Sequence, residues 1–544
     1  MLGRSPRMNL RALTSALTLA GLALAPMTSA AEAPIPRLVS ENGRHALLVD
    51  GAPFLILGAQ CHNSSAWPAT LPEVWPAIGD IGANTLEIPI YWEQFEPEPG
   101  KYDTSIVDLI IDQAREAKVR VILLWFATWK NGSPNYIPLW MKAQPEKYPR
   151  MLGREDRPVH SLSPHASDTL EADKRAFRAL MRHLREKDPP RTVIMVQPEN
   201  EPGTWGSVRD YSPAAQQLFE APVPIEALRA MGREHLAGAN WDAAFARDAD
   251  EFFHAWSVAR FIGQVAAAGK EEYPLPMLVN TALRDPLSPP PPTHYQTGAP
   301  TDNVLPLWKA AAPAVDVLAP DIYLPGYAQY RRVCELYARP DNPLLIPETA
   351  NAPLNARHFF TALGHGAIGW APFGIDYTGY HNSPLGGDTG TPEKLAPFTL
   401  NYRIVGPMTR EVAKLNFEGR LKATAEEPGV PSQVLDFGKW RAVVTYGIPF
   451  FGFATGAKGN PEPIGRALVA QIAEDKFLVA GAHCRVDFEL ADKSRLQRVY
   501  LRVEEGRYVD GIFQVRRLWN GDQTDWGLNF ATSDLVVHAT LGTF

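Results

Sequence analysis

The stretch RTVIMVQPENEPG, residues 191–203, is the clearest fold signal in this chain. It begins as a run of β-branched and apolar residues and ends in Glu199, Asn200 and Glu201. An apolar run of this length predicts a strand that is buried on both faces, as in a parallel sheet. The polar end predicts that the strand leaves the core there, either into a solvated loop or into a site that carries chemistry.

Seven other runs of this kind recur along the chain, separated by longer segments of helical pattern. They are FLILGAQ (54–60), NTLEIPIYW (84–92), VRVILLWF (119–126), LPMLVN (275–280), VDVLAPDIY (315–323), PLLIPE (343–348) and AIGWAPFG (367–374). Intervening segments such as 104–119 and 172–188 predict helices. Eight strand–helix units predict an α/β fold, a (β/α)8 TIM barrel over residues 35–416. The alternative, a doubly wound open sheet, predicts a Gly-rich phosphate loop after an early strand, and the sequence has none.

The pattern changes character from about residue 417. Short alternating runs such as SQVLDFGKWRAVVTYG follow one another, separated by Gly and Asn. This punctuation is typical of antiparallel strands joined by tight turns. The sequence therefore predicts a C-terminal all-β accessory domain over 417–544, with a sandwich-like architecture.

The first thirty residues have the pattern of a signal peptide. Arg4, Arg7 and Arg11 precede an apolar run at 12–25, and small residues follow at 28–31. That run is too short to cross a membrane as a helix. The segment therefore predicts export to a periplasm or to the exterior.

Composition narrows the class of partner and cofactor. The chain has 544 residues, 45% of them hydrophobic, and a formal net charge of -7. An acidic balance argues against nucleic acid and anionic membranes as partners. The three cysteines are far apart in the sequence and show no zinc-ligand spacing, so we expect neither a metal nor another cofactor. The oligomeric state stays open.

Two carboxylates follow strands on opposite sides of the predicted barrel. Glu201 follows the fourth strand and Glu348 ends the seventh. Active sites of such barrels lie at the C-terminal ends of the strands, so these two acids should meet across one pocket. A facing pair of carboxyl groups is what glycoside hydrolysis requires, at a separation of ~5–5.5 Å when the configuration is retained.

Two segments resemble a known family. NTLEIPIYWEQFEPEPGKYD (84–103) and IMVQPENE (194–201) are similar to segments of the β-galactosidases of glycoside hydrolase family 35, in clan A. The resemblance points to a bacterial branch of that family. It implies a retaining, exo-acting β-galactosidase whose carbohydrate substrates are terminal β-galactosides, such as the side chains of xyloglucan.

The resemblance also implies roles for individual residues. Glu201 would be the general acid/base, Glu348 the nucleophile, and Asn200 the group that holds the sugar 2-hydroxyl. Tyr323 would donate a hydrogen bond to Glu348. Glu199 is the rival for the acid/base role, since it has the same strand parity as Glu201. The amide before the acid in the clan pattern favours Glu201, which leaves Glu199 a supporting or sugar-contacting part.

Aromatic and polar side chains near the strand ends are the expected sugar contacts. Trp370 would form the floor beneath the sugar ring and Tyr91 would approach it from the second strand. Where common family members carry Asn-Ala-Glu, this chain has WFATWKNG (125–132), which leaves the identity of the sugar open. Other clan A activities (β-glucosidase, β-mannosidase or endo-glycanase) and a non-catalytic carbohydrate-binding barrel remain alternatives. The other candidate contacts are Trp125, Trp129, Lys130, Asn131 and His62.

Overall fold

The structure is a computed structural model that describes residues 33–380, 390–447, 458–492, 496–532 and 534–544. The predicted signal peptide lies outside the described residues. A three-stranded antiparallel sheet comes first, formed by Arg37–Glu41, Arg44–Val49 and Ala52–Phe54. Over the described ranges, no helix has the length and apolar character that a membrane span would need.

Eight parallel strands form a closed barrel. They are β1 (Ile56–Gln60), β2 (Thr85–Tyr91), β3 (Arg120–Lys130), β4 (Val193–Asn200), β5 (Leu278–Ala282), β6 (Val317–Ile322), β7 (Leu345–Ile346 and Glu348–Thr349) and β8 (Gly369–Trp370). Each strand pairs with the next in chain order, and β8 pairs with β1 to close the ring. A bridge between Val196 and Met277 joins β4 to β5. The predicted (β/α)8 fold is therefore confirmed, and each predicted run contains one of the strands or overlaps it.

One helix follows each strand on the outside of the barrel. These are α1 (Leu71–Ile81), α2 (Ser105–Ala117), α3 (Ser167–Lys187), α4 (Ala249–Glu272), α5 (Leu305–Ala311), α6 (Tyr327–Tyr337), α7 (His358–Gly364) and α8 (Pro392–Val405). Shorter helices fill the loops, at Trp92–Phe95, Leu139–Lys142, Pro213–Glu220, Ile225–Ala230 and Trp241–Phe245. A hairpin of Arg150–Leu152 and Pro158–Leu162 lies between β3 and α3.

The segment LNYRIVGPMTREVAKLN, residues 400–416, predicts one final barrel helix, and the structure differs from this prediction. The structure has two helices, α8 and Thr409–Phe417, with a 3₁₀ turn at Gly406–Met408 between them. Pro407 explains the break, because proline has no N–H for the helical hydrogen bond and its ring crowds the preceding turn. The sequence of the long insertion after β4, residues 203–273, predicts a largely helical segment, and the structure has the helices Pro213–Glu220, Ile225–Ala230, Trp241–Phe245 and α4 there.

In the described part of the chain after the barrel there are ten strands, all antiparallel to their neighbours. They are β9 (Leu421–Ala425), β10 (Ser432–Phe437), β11 (Trp440–Tyr446), β12 (Arg466–Ala473), β13 (Lys476–Ala482), β14 (Cys484–Leu490), β15 (Arg498–Val509), β16 (Ile512–Leu518), β17 (Leu528–Phe530) and β18 (Val536–Thr543). They form a six-stranded sheet, in the order β9-β12-β13-β18-β15-β16, and a four-stranded sheet, β10-β11-β14-β17. The second hydrophobic core contains Trp440 and Phe488 from the smaller sheet and Phe477 and Val503 from the larger one, as expected of a sandwich.

The other face of the larger sheet packs against the barrel. Leu421, Leu468 and Leu478 of this sheet belong to the same buried apolar cluster as the barrel core. Helix α7 approaches β9 so closely that a Cβ atom on Gly364 would lie 2.1 Å from the carbonyl oxygen of Ala423. The two domains are therefore joined by continuous hydrophobic packing.

Candidate active site

A cavity of about 460 Å³ opens at the C-terminal ends of the barrel strands. Its wall combines carboxyl, amide and ammonium groups with aromatic and aliphatic side chains, which is typical of a small-molecule site. The residues that line it are Asn63, Lys130, Asn131, Glu201, Trp205, Ala282, Leu283, Gln296, Asp321, Tyr323, Leu324, Pro325, Glu348 and Phe373.

Three carboxyl groups converge in this cavity. Oxygen atoms of Glu201, Asp321 and Glu348 all lie within 4.8 Å of one another. One oxygen of Glu201 and one of Glu348 thus lie within 4.8 Å of each other, which is compatible with the ~5–5.5 Å separation of the carboxyl groups in a retaining glycosidase. Such a trio could also ligate a cation, but an acidic cluster alone does not indicate an ion.

Glu348 is held by four hydrogen bonds from four different strands or strand ends. Its Oε1 accepts from Gln60 Nε2 at 3.0 Å and from the side-chain amides of Asn200 and Asn280, each at 3.3 Å. Its Oε2 accepts from the Tyr323 hydroxyl at 2.9 Å. The carboxylate is buried, and these donors favour its ionised form and fix its direction.

Asn280, in the middle of β5, connects the three acids. Its Oδ1 accepts the backbone N–H of Glu201 at 2.8 Å, and its Nδ2 donates to Asp321 Oδ2 at 2.8 Å. The same Nδ2 lies 3.3 Å from Glu348 Oε1. A single amide thus sets the spacing between the segment that carries Glu201 and the two acids across the pocket.

Glu201 has the properties of a group that carries a proton near neutral pH. Burial raises its pKa and the nearby Glu348 charge adds to the shift, while Lys130 opposes it, and the result is a pKa of about 7. Lys130 itself donates to Asn200 Oδ1 at 2.7 Å and also to Asn131. An acid with a pKa close to the working pH is suited to general acid/base catalysis.

Burial favours the neutral form of two further acids nearby. Burial raises the pKa of Asp321 well above its usual range, with added repulsion from Glu348 and Glu201. Burial likewise raises the pKa of Glu87, on β2, and Glu348 again adds to the shift. Ionising several carboxyl groups at such short distances costs Coulomb energy, and the raised pKa values of Asp321 and Glu87 reduce this repulsion.

The predicted site residues divide into two sets. Glu201, Glu348, Tyr323, Lys130 and Asn131 line the cavity. Asn200 is fully buried beside it and contacts Glu348 through its amide, as described above. The second set consists of side chains that do not line the cavity: Trp370, Trp125, Trp129, Tyr91, His62 and Glu199.

Trp370 does not form a floor under the sugar site. Its indole is fully buried, donates to the Tyr330 hydroxyl at 2.8 Å and stacks on Phe398 of α8. The side chain therefore points out of the barrel towards the helices. The expectation was wrong because the residue's position on β8 gives it the outward strand parity. Phe373, three residues later, lines the cavity instead.

Trp125 and Trp129, both on β3, also face outward. Trp125 donates to Asp173 Oδ1 at 3.0 Å and packs on Phe177 of α3. Trp129 is fully buried and meets the edge of Phe261 on α4. Both indoles fill the layer between barrel and helices, so neither is a sugar contact.

Tyr91 and His62 support the loop after β1 and do not line the cavity. The Tyr91 hydroxyl donates to the Asn63 carbonyl at 2.6 Å, and its ring stacks on Tyr136. His62 is buried and pairs with Asp376 through Nδ1 at 3.0 Å. These contacts hold Asn63 at the rim of the cavity. The expected direct sugar contact is therefore wrong for both side chains.

Glu199 points away from Glu201. Its Oε2 accepts the backbone N–H of Trp129 at 2.6 Å, and its carboxyl group lies against Asp173 of α3. Positive φ values of 67° at Glu199 and 42° at Glu201 break the strand alternation on which their equal parity depended. Glu199 thus has a supporting position and no direct access to the sugar.

Several residues in or beside the cavity were not predicted. Gln60 and Asn280 close the apolar runs of β1 and β5, and Asp321 lies at the end of β6. The signal that singled out Glu201, a polar residue at the end of an apolar run, was present at all three. Trp205, which is half exposed, and Gln296 come from long loops that carry no such signal.

Two family models match parts of the chain. Residues 65–258 match the model of glycoside hydrolase family 42, which is described as "Beta-galactosidase". Residues 398–531 match a model described as a domain of unknown function. The first match contains Glu201, and Glu348 lies beyond it.

Plant proteins give partial sequence matches. The chain is 27% identical over 114 residues to "Beta-galactosidase 14" of Arabidopsis thaliana, covering 19% of this chain and 12% of that protein. It is 30% identical over 108 residues to "Beta-galactosidase 12" of Oryza sativa subsp. japonica, covering 18% and 11%. The chain thus spans only about an eighth of the length of these relatives.

Solved structures give a similar result at low identity. The β-galactosidase of the psychrophilic Marinomonas ef1 has a TM-score of 0.49 at 14% identity, covering 66% of this chain and 61% of that one. The cold-adapted β-galactosidase of Rahnella sp. R3 has a TM-score of 0.47 at 16% identity, covering 70% and 58%. The evidence for the barrel fold of this chain is the pairing of its own strands. The matched segment at residues 65–258, which includes the acid at the end of β4, is similar to the β-galactosidases that this family model describes.

Proposed function

We propose that this protein is a retaining β-galactosidase that removes terminal β-galactosyl residues by double displacement. The observation that carries the proposal is the meeting of Glu201 and Glu348 within 4.8 Å in one cavity. Their environments also differ, as double displacement requires one carboxyl group that attacks the sugar and another that donates a proton. Glu348 is surrounded by hydrogen-bond donors, whereas the pKa of Glu201 is raised to about 7.

The two acids divide the chemistry between them. Glu348 attacks the anomeric carbon while Glu201 donates its proton to the leaving oxygen, which breaks the glycosidic bond and forms a glycosyl-enzyme ester. Glu201, now a carboxylate, takes a proton from water, which attacks the same carbon and releases the sugar with its configuration retained. Asn200, whose amide lies next to Glu348, is positioned to hold the 2-hydroxyl.

Binding would come from groups at the rim and wall. Trp205 is half exposed at the cavity and offers a flat face for a sugar ring, and Phe373 offers a smaller one. Lys130, Asn131 and Gln296 present polar groups to hydroxyls. The volume is in the range of small-ligand sites, which favours action on chain ends over binding along a polymer.

The family, the polysaccharide substrate and the export of the protein are part of the same proposal. Family 35, named by the sequence resemblance, is not the family whose model matches, and membership in it remains a proposal. Galactosyl side chains of xyloglucan are the proposed substrates. Export to a periplasm or to the exterior is proposed from residues 1–30, and the N-terminal sequence of the mature protein would test it.

A panel of aryl β-glycosides tests the activity. We expect the galactoside to be cleaved fastest, with the β-anomer of the sugar released first when the reaction is followed by NMR. Glu348→Gln should lower kcat by on the order of 10³-fold or more, since the nucleophile is lost. Glu335→Gln, an exposed change on α6, is the matched control and should behave as wild type.

A second variant tests the acid/base. Glu201→Ala should lower kcat by about 10²–10⁴-fold, with azide restoring cleavage of an activated aryl galactoside. Azide rescue in Glu199→Ala and none in Glu201→Ala would move the role. Faster cleavage of a glucoside or mannoside would select one of the alternative activities, and binding without cleavage would leave a carbohydrate-binding barrel.

A further inference from the structure

Asp321 is the carboxyl group in the cavity that the proposed mechanism does not use. It lies on β6 directly opposite Glu348 in the strand register, and only 2% of the residue is exposed. Its Oδ2 accepts from Asn280 at 2.8 Å. Its Oδ1 is buried and has no N–H or hydroxyl donor among the described residues.

An ionised carboxylate with one bare, buried oxygen is energetically unfavourable. A protonated Asp321 carboxyl group avoids this cost, because Oδ1 then carries a hydrogen that it can donate. One carboxyl oxygen of Glu201 and one of Glu348 lie within 4.8 Å of an Asp321 oxygen, and either could accept this hydrogen. Glu348 already accepts four hydrogen bonds, whereas no N–H or hydroxyl group of a described side chain donates to the Glu201 carboxyl group, so Glu201 is the better acceptor.

We propose that Asp321 is a positioning residue that stays protonated and donates a hydrogen bond to the carboxylate that forms on Glu201. This inference rests on the proposed role of Glu201 as acid/base. The hydrogen bond would stabilise Glu201 after it has given its proton to the leaving group. It would also keep the new carboxylate aimed at the water that completes the reaction.

The surrounding charges are consistent with this distribution of protons. Lys130 on β3 is a cation that faces the trio, and Glu348 is the member that accepts four hydrogen bonds from side chains. The Tyr323 hydroxyl is committed to Glu348, and Glu87 lies buried in the barrel below with a raised pKa. Among the described residues, the titratable groups that face Asp321 or its neighbours are therefore Glu87, Lys130, Glu201, Tyr323, Tyr337 and Glu348.

Two variants separate a hydrogen-bond donor from a negative charge. Asp321→Asn can keep both contacts, since its carbonyl accepts from Asn280 and its amide donates to Glu201. Asp321→Ala loses the donor. The readouts are the alkaline pKa of kcat/KM and the ratio of rates for a phenyl galactoside and a dinitrophenyl galactoside, the second of which hardly needs acid assistance.

We expect Asp321→Asn to keep the alkaline pKa and most of the activity. Asp321→Ala should raise that pKa by about one unit, because a charged-group hydrogen bond of this kind is lost. It should lose on the order of tenfold in rate on the phenyl substrate and much less on the dinitrophenyl one. A lowered alkaline pKa in Asp321→Asn would show that Asp321 is normally ionised and overturn the proposal, as would an unshifted pKa in Asp321→Ala.

Direct titration of Glu201 keeps this test separate from the proposed function. The pKa of Glu201 can be followed by ¹³C NMR of glutamate-labelled protein in wild type and both variants, with Glu201→Gln to assign the signal. If the wild type cleaves no aryl glycoside, the proposed function fails. The role of Asp321 is still decided by whether the NMR pKa of Glu201 rises in Asp321→Ala and stays unchanged in Asp321→Asn. Thermal melting of each variant shows whether the fold is retained.

Discussion

Lys130 illustrates how much chemistry one side chain at a strand end can organise. It lies at the end of β3, donates to Asn200 and lines the cavity beside Glu201. Its positive charge lowers the pKa of Glu201, while burial and Glu348 raise it. The balance of these effects leaves Glu201 able both to give and to accept a proton near neutral pH.

This balance predicts the pH dependence of the enzyme at the scale of one residue. Glu201 must be protonated to assist the leaving group, and its pKa is about 7. We therefore expect kcat/KM to fall above roughly pH 7, approaching tenfold per pH unit. A pH profile measured with a phenyl galactoside checks this. Activity that stays constant well into the alkaline range would contradict it, and Glu201→Gln should lack this limb with an activated substrate.

At the scale of elements, the end of β4 is fixed against α3 by a pair of buried acids. Asp173 accepts from Trp125 and from the Thr128 hydroxyl, and Glu199 accepts the Trp129 N–H. Burial raises the pKa of both Asp173 and Glu199, and repulsion from Asp173 adds to the shift of Glu199. These contacts hold the irregular strand ends that present Lys130 and Glu201 to the cavity.

The Glu199 pair predicts a pH-dependent stability. A carboxyl group whose pKa is raised by folding contributes stability that is present below its unfolded pKa and is lost as pH rises through the folded value. Relative to Glu199→Gln, the wild type should therefore lose free energy of unfolding above about pH 4.3, by up to about 1.4 kcal/mol per pH unit. Denaturant unfolding of both proteins at several pH values measures this. Parallel stability curves would contradict it.

At the scale of the whole molecule, the larger sheet of the sandwich packs against the outside of the barrel and covers apolar side chains there. Helix α7 and strand β9 approach at a position where only glycine fits, and the barrel core continues into the larger sheet. A cavity of about 690 Å³ lies between the domains, lined from both sides by residues such as Arg357 and Arg466. The packing indicates that barrel and sandwich unfold together.

This packing predicts the effect of one added methyl group. In Gly364→Ala the new Cβ would collide with the Ala423 carbonyl and force α7 away from β9, which we expect to cost about 1–3 kcal/mol. The melting temperature and the temperature at which activity is lost should fall together. Gly79→Ala, an exposed position on α1 with open space around it, is the control and should be neutral or stabilising. An unchanged melting temperature in Gly364→Ala would contradict the argument.

The amino-acid sequence by itself determined the barrel, the sandwich and the two facing acids. Eight apolar runs between helical segments admit few other arrangements, and parallel strands necessarily bring Glu201 and Glu348 to one end. The break at Pro407 shows that such patterns locate elements better than their ends.

Only the tertiary structure decided which side chains enter the cavity. Strand ends leave regular geometry, so parity no longer predicts direction there: positive φ values send Glu199 and Glu201 to different sides. Trp370 and Trp125 proved to fill the layer beneath the helices, because an apolar indole satisfies that packing as well as it would a sugar ring. Asn280 and Asp321 gained their importance from neighbours that are distant in the sequence, and the contacts between them exist only when the barrel has closed.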